Sequence, residues 1–229
     1  NAEVAVSHGS PGIDLNFGCP AKTVNRHKGG AVLLKEPETL HAIIKAVREA
    51  VPSHLPVCAK IRLGYEDKVL ALENADAICS AGADLLTVHA RTKTDGYKPP
   101  AYWDWIAKIK QVVNIPVIAN GEIWHAQDAM RCKAQSETQH IMLGRGALSL
   151  PNLAATIVNN AEPMKWDGVK QLLIDYSGVE VFGNKGKYYP NRVKQWLTYL
   201  KREYKEADTL FMQIRRLQDA DDIVRHIQH

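Results

Sequence analysis

The stretch PVCAKIRLG, residues 56–64, decides how the chain folds. It is a short apolar run that follows a proline and ends in charged residues and a glycine, which is typical of a buried β-strand. Residues 38–51 precede it and carry apolar side chains at the three-and-four spacing of a helix face. A helix that leads into a buried strand is the repeating element of a βα fold.

Four more runs of the same kind lie near residues 13–17, 85–89, 117–120 and 141–144. Longer helical patterns separate them, which indicates parallel strands joined by helices rather than a sandwich or a bundle. We predict an α/β fold, a (β/α)8 TIM barrel, over residues 1–163. Five of its eight strands are present, and we assign them as strands four to eight. About 80 residues of a barrel of about 250 would then precede the chain.

From about Trp166 onward the β-type runs stop and helical patterns remain. We therefore predict a second, helical domain at residues 164–229. Prolines and glycines break it near the sequence GNKGKYYPN, residues 183–191.

The composition excludes several classes of protein. The chain has 229 residues, 45% of them hydrophobic, yet no apolar run long enough to span a bilayer and no signal-peptide profile at its start. Its four cysteines form no CxxC pair and show no metal-ligand spacing. We expect a cytoplasmic, monomeric protein without membrane contact, disulfide framework or metal site.

Polar side chains end the predicted strands, where β/α barrels carry their catalytic groups. Lys60 and Arg62 end one run, and His89 and Arg91 end the next. Together they indicate a rim of cations suited to an anionic ligand or to a ring that gains negative charge. Glycine-containing loops at residues 120–122 and 144–146 follow the last two runs. Loops at these places in a barrel commonly bind a phosphate, so we expect a phosphorylated cofactor.

The motifs LNFGCPAKTVNRHKGGAVLL, AKIRLG, VHARTKTDGY, PVIANGEI and IMLGRGAL occur in this order along the chain. Together they resemble the tRNA-dihydrouridine synthase family, for which NFGCP is highly specific. The C-terminal KQWLTYLKREY is most similar to the bacterial members that modify uridine 16 in the D-loop. The resemblance implies a flavin-dependent oxidoreductase in which NADPH reduces FMN and hydride passes to C6 of a uracil in tRNA, giving 5,6-dihydrouridine.

The resemblance also implies roles for single residues. Cys19 would donate the proton to C5, and an ordinary thiol with a pKa of about 8.5 is mostly protonated at pH 7. Asn16 would hydrogen-bond the uracil edge, and Arg62 would help to hold the base. The implied FMN contacts are Lys60, His89, Asn120, Gly121, Glu122, Gly144 and Arg145.

The segment from Lys185 to Lys205 contains seven cations and one carboxylate, with four tyrosines among them. That pattern is expected of a surface that contacts phosphates and stacks bases. The same segment also fits the solvated face of a helix whose core stripe includes Trp196. We predict that it binds tRNA, with Lys187, Arg192 and Lys194 among the contacts.

Two other functions remain open at this point. One is a flavin-dependent barrel oxidoreductase that acts on a free small molecule such as dihydroorotate, which the basic and aromatic tail disfavours. The other is a non-catalytic RNA-binding protein built on the barrel scaffold. The joint presence of Cys19, Lys60 and Arg62 disfavours that second alternative.

Overall fold

Five parallel strands form one sheet in the computed structural model, which describes residues 1–179 and 188–228. Each strand pairs with the next one along the chain, and every pairing is parallel. The predicted α/β architecture with a parallel sheet is confirmed, while the numbering of the strands as four to eight of a barrel stays a prediction. The strands are β1 (Ile13–Asn16), β2 (Val57–Arg62), β3 (Leu85–His89), β4 (Val117–Asn120) and β5 (His140–Met142).

Helices connect the strands and follow the last one. Before β5 the chain forms a 3₁₀ helix at Gly30–Lys35 and the helices α1 (Ala2–Ser7), α2 (Lys22–Arg26), α3 (Pro37–Ala50), α4 (Ala71–Ser80), α5 (Trp103–Val112) and α6 (Ala126–Ser136). After β5 it forms α7 (Arg145–Ser149), α8 (Leu153–Asn159), α9 (Trp166–Ser177), α10 (Tyr189–Leu200), α11 (Lys205–Ile214) and α12 (Ala220–Gln228). The helix predicted over residues 38–51 is thus confirmed as α3, with Pro37 in its first turn, where a missing N–H costs nothing.

Alternation along β2 separates the two faces of the sheet. Val57, Ala59 and Ile61 are fully buried, and α3 packs on this strand. Because successive side chains of a strand point to opposite faces, Lys60 and Arg62 share the other face. One side of the strand therefore builds the apolar core, and the other presents charged groups.

Two compact units make up the described residues. The first contains the sheet and comprises residues 1–122 and 127–142, and the second comprises residues 123–126 and those from 143 onward. This division differs from the one at residue 163 that the sequence indicates. The reason is that Leu150 and Leu153 pack into the same apolar core as the C-terminal helices.

The core of the second unit is built from helices α8 to α12. Each contributes at least one side chain with no solvent exposure, among them Leu153, Leu173, Val193, Leu197, Leu200, Ile214 and Ile223. Across residues 1–179 and 188–228, no helix combines the length and the apolar character that crossing a membrane would need.

Replacing Ile44 by Ala should lower the free energy of unfolding of the first unit by about 2–5 kcal/mol. Ile44 has no solvent exposure on the inner face of α3, so truncation removes apolar burial and leaves a cavity. Val69→Ala is the matched control, because Val69 is 78% exposed and its loss should cost less than about 0.5 kcal/mol. Denaturant unfolding of the full-length variants measures both, and equal effects would contradict the packing of α3 on the sheet.

Candidate active site

The register of the parallel strands brings polar side chains into one row. Arg62 of β2 is aligned with His89 of β3, and His89 with Asn120 of β4. Asn16 of β1 is aligned with Lys60, which precedes Arg62 by two residues on β2. Aligned residues of neighbouring parallel strands project to the same face, so these five groups share the face opposite the helices. The first unit thus gathers most of the predicted site residues.

Lys60 occupies a partly buried position in this row. Burial lowers the pKa of its ammonium, the nearby guanidinium of Arg62 lowers it further, and the carboxylate of Asp14 opposes both. Asp14 lies on the same face, and burial raises its pKa. A negative charge placed beside Lys60 would stabilise its protonated form.

His89 is held by a chain of hydrogen bonds that fixes its tautomer. The amide nitrogen of Asn120 donates to the carbonyl of Met142 at 2.7 Å, which leaves the amide oxygen to face His89 Nδ1 at 2.9 Å. Nδ1 must then carry the proton, so Nε2 is a bare acceptor. Among the described residues no group donates to that buried Nε2.

The ring of His89 is neutral at pH 7. Burial lowers its pKa to about 3, and the cationic Arg62 adds to the effect. The expectation that His89 contributes a positive charge to the rim is therefore corrected. It offers an unprotonated nitrogen that suits a hydroxyl or N–H donor of a ligand.

The turn after β4 is held against the ring of His89. Gly121 has a φ of 121°, which favours glycine, and a Cβ there would lie 3.3 Å from the imidazole. Trp103 Nε1 donates to the Gly121 carbonyl at 2.9 Å. The next residue, Glu122, pairs with the fully buried Arg91. The Glu122 carboxylate and the bond from Trp103 thus hold the turn in place.

The sequence places Arg91 in the predicted rim of cations, whereas the structure shows it fully buried and bonded within the protein. Its Nε donates to the carbonyls of Lys98 and Pro100, at 2.7 and 3.2 Å. Together with the Glu122 pair, these bonds join the loop after β3 to the turn after β4. No sequence signal distinguishes such a tie from an exposed cation.

The loop that carries Cys19 is fixed from several directions. The Cys19 carbonyl accepts hydrogen bonds from Asn25 Nδ2 at 2.9 Å and from the Ala31 amide at 3.0 Å. Gly30 has a φ of 66°, and a Cβ there would approach the Cys19 carbonyl oxygen to 2.7 Å. The thiol itself belongs to a half-buried residue. Cys19 therefore sits on a rigid backbone with its side chain still reachable.

Asn16 and Arg62 hold the other end of this loop. Asn16 Oδ1 accepts from the Gly18 amide at 2.9 Å, and Arg62 Nε donates to the Gly18 carbonyl at 2.9 Å. The amide nitrogen of Asn16 stays on the side away from this bond. Both residues thus position the Cys19 loop, in addition to the contacts with a base that the sequence predicts for them.

Arg62 is 3% exposed and also binds the loop after β3. Its Nη1 donates to the carbonyls of Thr92 and Gly96, each at 3.0 Å. Burial lowers the pKa of this guanidinium, while the neighbouring Tyr97 favours its charged form. Most of its donors are engaged with the protein, so a direct contact between Arg62 and a substrate stays a prediction.

Tyr97 is a candidate site residue that the sequence reasoning missed. Its ring lies 5.2 Å from the guanidinium carbon of Arg62 and edge-on to His89, with ring centroids 6.2 Å apart. The residue is nevertheless 52% exposed. An aromatic ring that packs beside Arg62 and His89 and is still half exposed is suited to stack on a planar ligand. The only hint was its place at the end of the motif VHARTKTDGY.

The predicted phosphate loop at residues 144–146 belongs to the second unit. Gly144 and Arg145 open α7, and the guanidinium carbon of Arg145 lies 5.1 Å from the ring centre of Trp124. A Cβ at Gly146 would meet the Ile123 carbonyl oxygen at 2.0 Å, so the loop is closely packed. Its role in binding a phosphate stays a prediction.

The predicted tRNA contacts of the basic segment differ from one another in exposure. Lys194 is half-buried and its ammonium donates to the Leu217 carbonyl, so it is not directed at solvent as the sequence led us to expect. Arg192 is exposed on α10. Lys187, like Lys185, lies outside the described residues.

Two of the tyrosines in this segment are core residues rather than stacking surfaces. Tyr189 and Tyr204 are buried, and their hydroxyls donate to the carbonyls of Leu173 and Met164, each at 2.9 Å.

The exposed cations meet elsewhere, in a cleft of about 480 Å³ at the end of α10 and the start of α11. Its lining residues are Thr198, Lys201, Arg202, Lys205 and Asp208.

The cation cleft is backed by an aromatic ring. The guanidinium carbon of Arg202 lies 3.9 Å from the ring centre of the buried Trp124. Asp208 is the one acidic residue of the lining and approaches Lys201 to 3.8 Å. Three cations against one carboxylate form a site suited to phosphate groups. In the part of the chain that the structure covers, no cluster of His, Cys, Asp and Glu is arranged to hold a metal ion.

Comparison with known proteins gives a consistent result. The profile described as "Dihydrouridine synthase (Dus)" matches residues 1–228. A tRNA-dihydrouridine(16) synthase from Shewanella oneidensis is 55% identical over 228 residues, which cover 100% of this chain and 72% of the relative. The protein of that name from Escherichia coli is 50% identical over 229 residues, covering 100% of this chain and 73% of the relative.

Solved structures show similarity at the level of the fold alone. A 2,3-dimethylmalate lyase superposes with a TM-score of 0.53 at 16% identity, over 69% of this chain and 57% of the other. A putative dihydrodipicolinate synthase family protein from Coccidioides immitis gives a TM-score of 0.51 at 16% identity, over 94% of this chain and 67% of the other.

The pKa of His89 predicts a pH dependence of stability. Below its unfolded pKa of about 6.5 the unfolded chain binds one proton more than the folded chain, so the free energy of unfolding falls as pH is lowered toward 3. Between pH 6 and pH 4, the ligand-free His89→Gln variant should therefore lose less stability than the ligand-free parent, by about 2 kcal/mol. Denaturant titrations at each pH measure this, with exposed His54→Gln as control. Parallel curves for His89→Gln and the parent would show that His89 titrates normally.

Proposed function

Because the chain belongs to the dihydrouridine synthase family, we propose that it reduces a uridine of transfer RNA, at position 16 of the D-loop, to 5,6-dihydrouridine. The observation that carries this proposal is the hydrogen bond from Arg62 to Gly18. It places the loop of Cys19 beside the strand-end row that contains His89. The relatives at about 50% identity, all of which act on tRNA by name, disfavour a free small molecule as the substrate.

The residues of the first unit fit a flavin nucleotide. The unprotonated Nε2 of His89 is a buried acceptor to which no group donates among the described residues. A ribityl hydroxyl or a ring N–H would provide that donor. The turn at Gly121 packs closely against the ring of His89 and so holds that acceptor in place. When bound, FMN that NADPH has reduced supplies the hydride that is added to C6 of the uracil.

In this proposal Lys60 and the turn at residues 120–122 contact different parts of the cofactor. Lys60 would offset negative charge on the reduced ring, because a desolvated ammonium interacts strongly with a neighbouring anion. The backbone of Asn120, Gly121 and Glu122 would contact the ribityl and phosphate side. Gly144 and Arg145 keep the phosphate-binding role that the family resemblance implies.

Cys19 completes the reduction by donating a proton to C5. Hydride addition at C6 leaves enolate character on the uracil, and transfer of the thiol proton to C5 removes it. The thiolate then regains a proton from solvent, to which the half-buried residue has access. The loop contacts of Asn25 and Gly30 keep the thiol in one place during this transfer.

Asn16 and Tyr97 are the groups best placed to orient the base. Asn16 can donate from its amide nitrogen to a uracil carbonyl, since its oxygen already accepts from Gly18. Tyr97 offers an exposed ring beside Arg62 and His89, against which a base that has left its stack can lie. Arg62 would act chiefly by fixing both loops.

The second unit would dock the tRNA through the cation cleft of Lys201, Arg202 and Lys205. Phosphates of the RNA backbone are the natural partners of three converging cations. Arg192 is an exposed candidate on the same helix. The cytoplasmic location and the monomeric state stay predictions, as does NADPH as the reductant.

Cys19→Ala should abolish most dihydrouridine formation while leaving flavin content and its reduction by NADPH intact, because only the proton donor is lost. Cys79→Ala is the matched control, since Cys79 lies on α4 and its thiol donates a hydrogen bond to Asn114 Oδ1. Dihydrouridine in a tRNA transcript and flavin absorbance, measured on the same full-length preparations, separate the two effects. Full activity of Cys19→Ala would remove Cys19 from the mechanism.

Replacing Lys201, Arg202 and Lys205 together by Gln should weaken tRNA binding and flatten the slope of log affinity against log salt by up to about three units, roughly one per lost contact. Lys194→Gln should leave that slope unchanged, because its ammonium is engaged with Leu217. Binding measured across a salt series tests both variants. A flatter slope for Lys194→Gln with none for the triple variant would reverse the assignment of the docking face.

A further inference from the structure

We propose that a pocket on the outer face of α10 binds a second, unpaired base of the tRNA, distinct from the uridine that is reduced. The inference rests on the proposed function, since it requires tRNA as the substrate. The pocket has a volume of about 440 Å³, within the range of small-molecule sites in proteins. It is lined by Leu148, Tyr176, Arg192, Gln195, Trp196 and Tyr199.

The base pocket lies on a face of α10 that adjoins the core-facing side of the helix. Arg192, Gln195, Trp196 and Tyr199 follow the three-and-four spacing of one helix face. The fully buried side chains of α10, such as Val193 and Leu197, follow the same spacing on the adjoining face, and Trp196 at the boundary also packs against the core. One face of the helix therefore builds the core, and the pocket lies on the neighbouring face, where Arg192 and Gln195 are exposed.

The aromatic wall of the pocket is rigid. Trp196 Nε1 donates to the Leu148 carbonyl at 2.9 Å, which fixes the indole. Tyr176 meets Trp196 edge-on at 89°, with ring centroids 6.1 Å apart. A wall that is ordered before binding loses little conformational entropy when a flat ring stacks on it. Stacking of this kind tolerates any base, because every base has a π-face.

The rim of the pocket supplies the polar groups that a base and its phosphate require. Gln195 and Arg192 are exposed, and Arg192 Nη1 lies 3.4 Å from Gln195 Oε1. A glutamine amide can both donate to and accept from a base edge, and an arginine can pair with the adjoining phosphate. None of the six lining side chains is acidic. This combination favours a nucleotide over an apolar peptide, which would have no use for the rim.

The test compares Tyr199→Leu with Tyr199→Phe in the full-length protein. Leucine keeps the apolar bulk and removes the aromatic face, whereas phenylalanine keeps that face. Tyr199→Leu should weaken binding of a tRNA transcript by roughly tenfold, and Tyr199→Phe should bind like the parent. The slope of log affinity against log salt should be the same in all three, because stacking releases no counterions. Asn191→Ala, exposed on the same helix but outside the pocket, is the control for surface changes.

Two results would overturn the proposal: undiminished affinity of Tyr199→Leu, or a loss of affinity accompanied by a flatter salt slope. Should Tyr199→Leu fail to fold, the double variant Leu148→Ala and Gln195→Ala decides in its place, since both side chains are exposed. Dihydrouridine formation by the parent protein is measured in parallel. A parent that makes dihydrouridine with a Tyr199→Leu variant that binds normally rejects the pocket alone, whereas a parent that makes none rejects the proposed function.

Discussion

The burial of Arg62 is the constraint on which the site depends. A guanidinium that is 3% exposed must find acceptors inside the protein, and those nearby are the carbonyls of Gly18, Thr92 and Gly96. Satisfying one buried charge therefore ties two separate loops to the end of β2. The thiol of Cys19 and the ring of Tyr97 are placed by that requirement, which makes Arg62 a structural residue of the site.

The second constraint is the register of the sheet, because it decides which strand-end groups become neighbours. The alignment of His89 with Asn120 lets the amide fix the imidazole tautomer, and burial keeps that imidazole neutral. The cations of the row are therefore Lys60 and Arg62, with the carboxyl of Asp14 on the same face. The result is a face with a cation at one place and a bare acceptor at another, suited to a ligand whose two ends differ in charge.

Local patterns in the sequence were sufficient for the strands and for α3, since a short apolar run and a three-and-four spacing report burial directly. They were insufficient for the basic segment. Lys194 has the composition of a phosphate contact and yet donates to the Leu217 carbonyl, while Tyr189 and Tyr204 lie in the core. A helix has an inner and an outer face, and composition does not record which of its charged and aromatic residues belong to each.

By itself the sequence determined the parallel α/β fold and the family, because these follow from periodicity and from motifs contiguous in the chain; the role of Cys19 stays a prediction from the same motifs. Only the tertiary structure decided that Arg91 pairs with Glu122 and that His89 is neutral. It also decided that the half-exposed Tyr97 packs beside His89. Each of these depends on residues far apart in sequence becoming neighbours. Burial and hydrogen bonding are properties of that neighbourhood, and no local pattern encodes them.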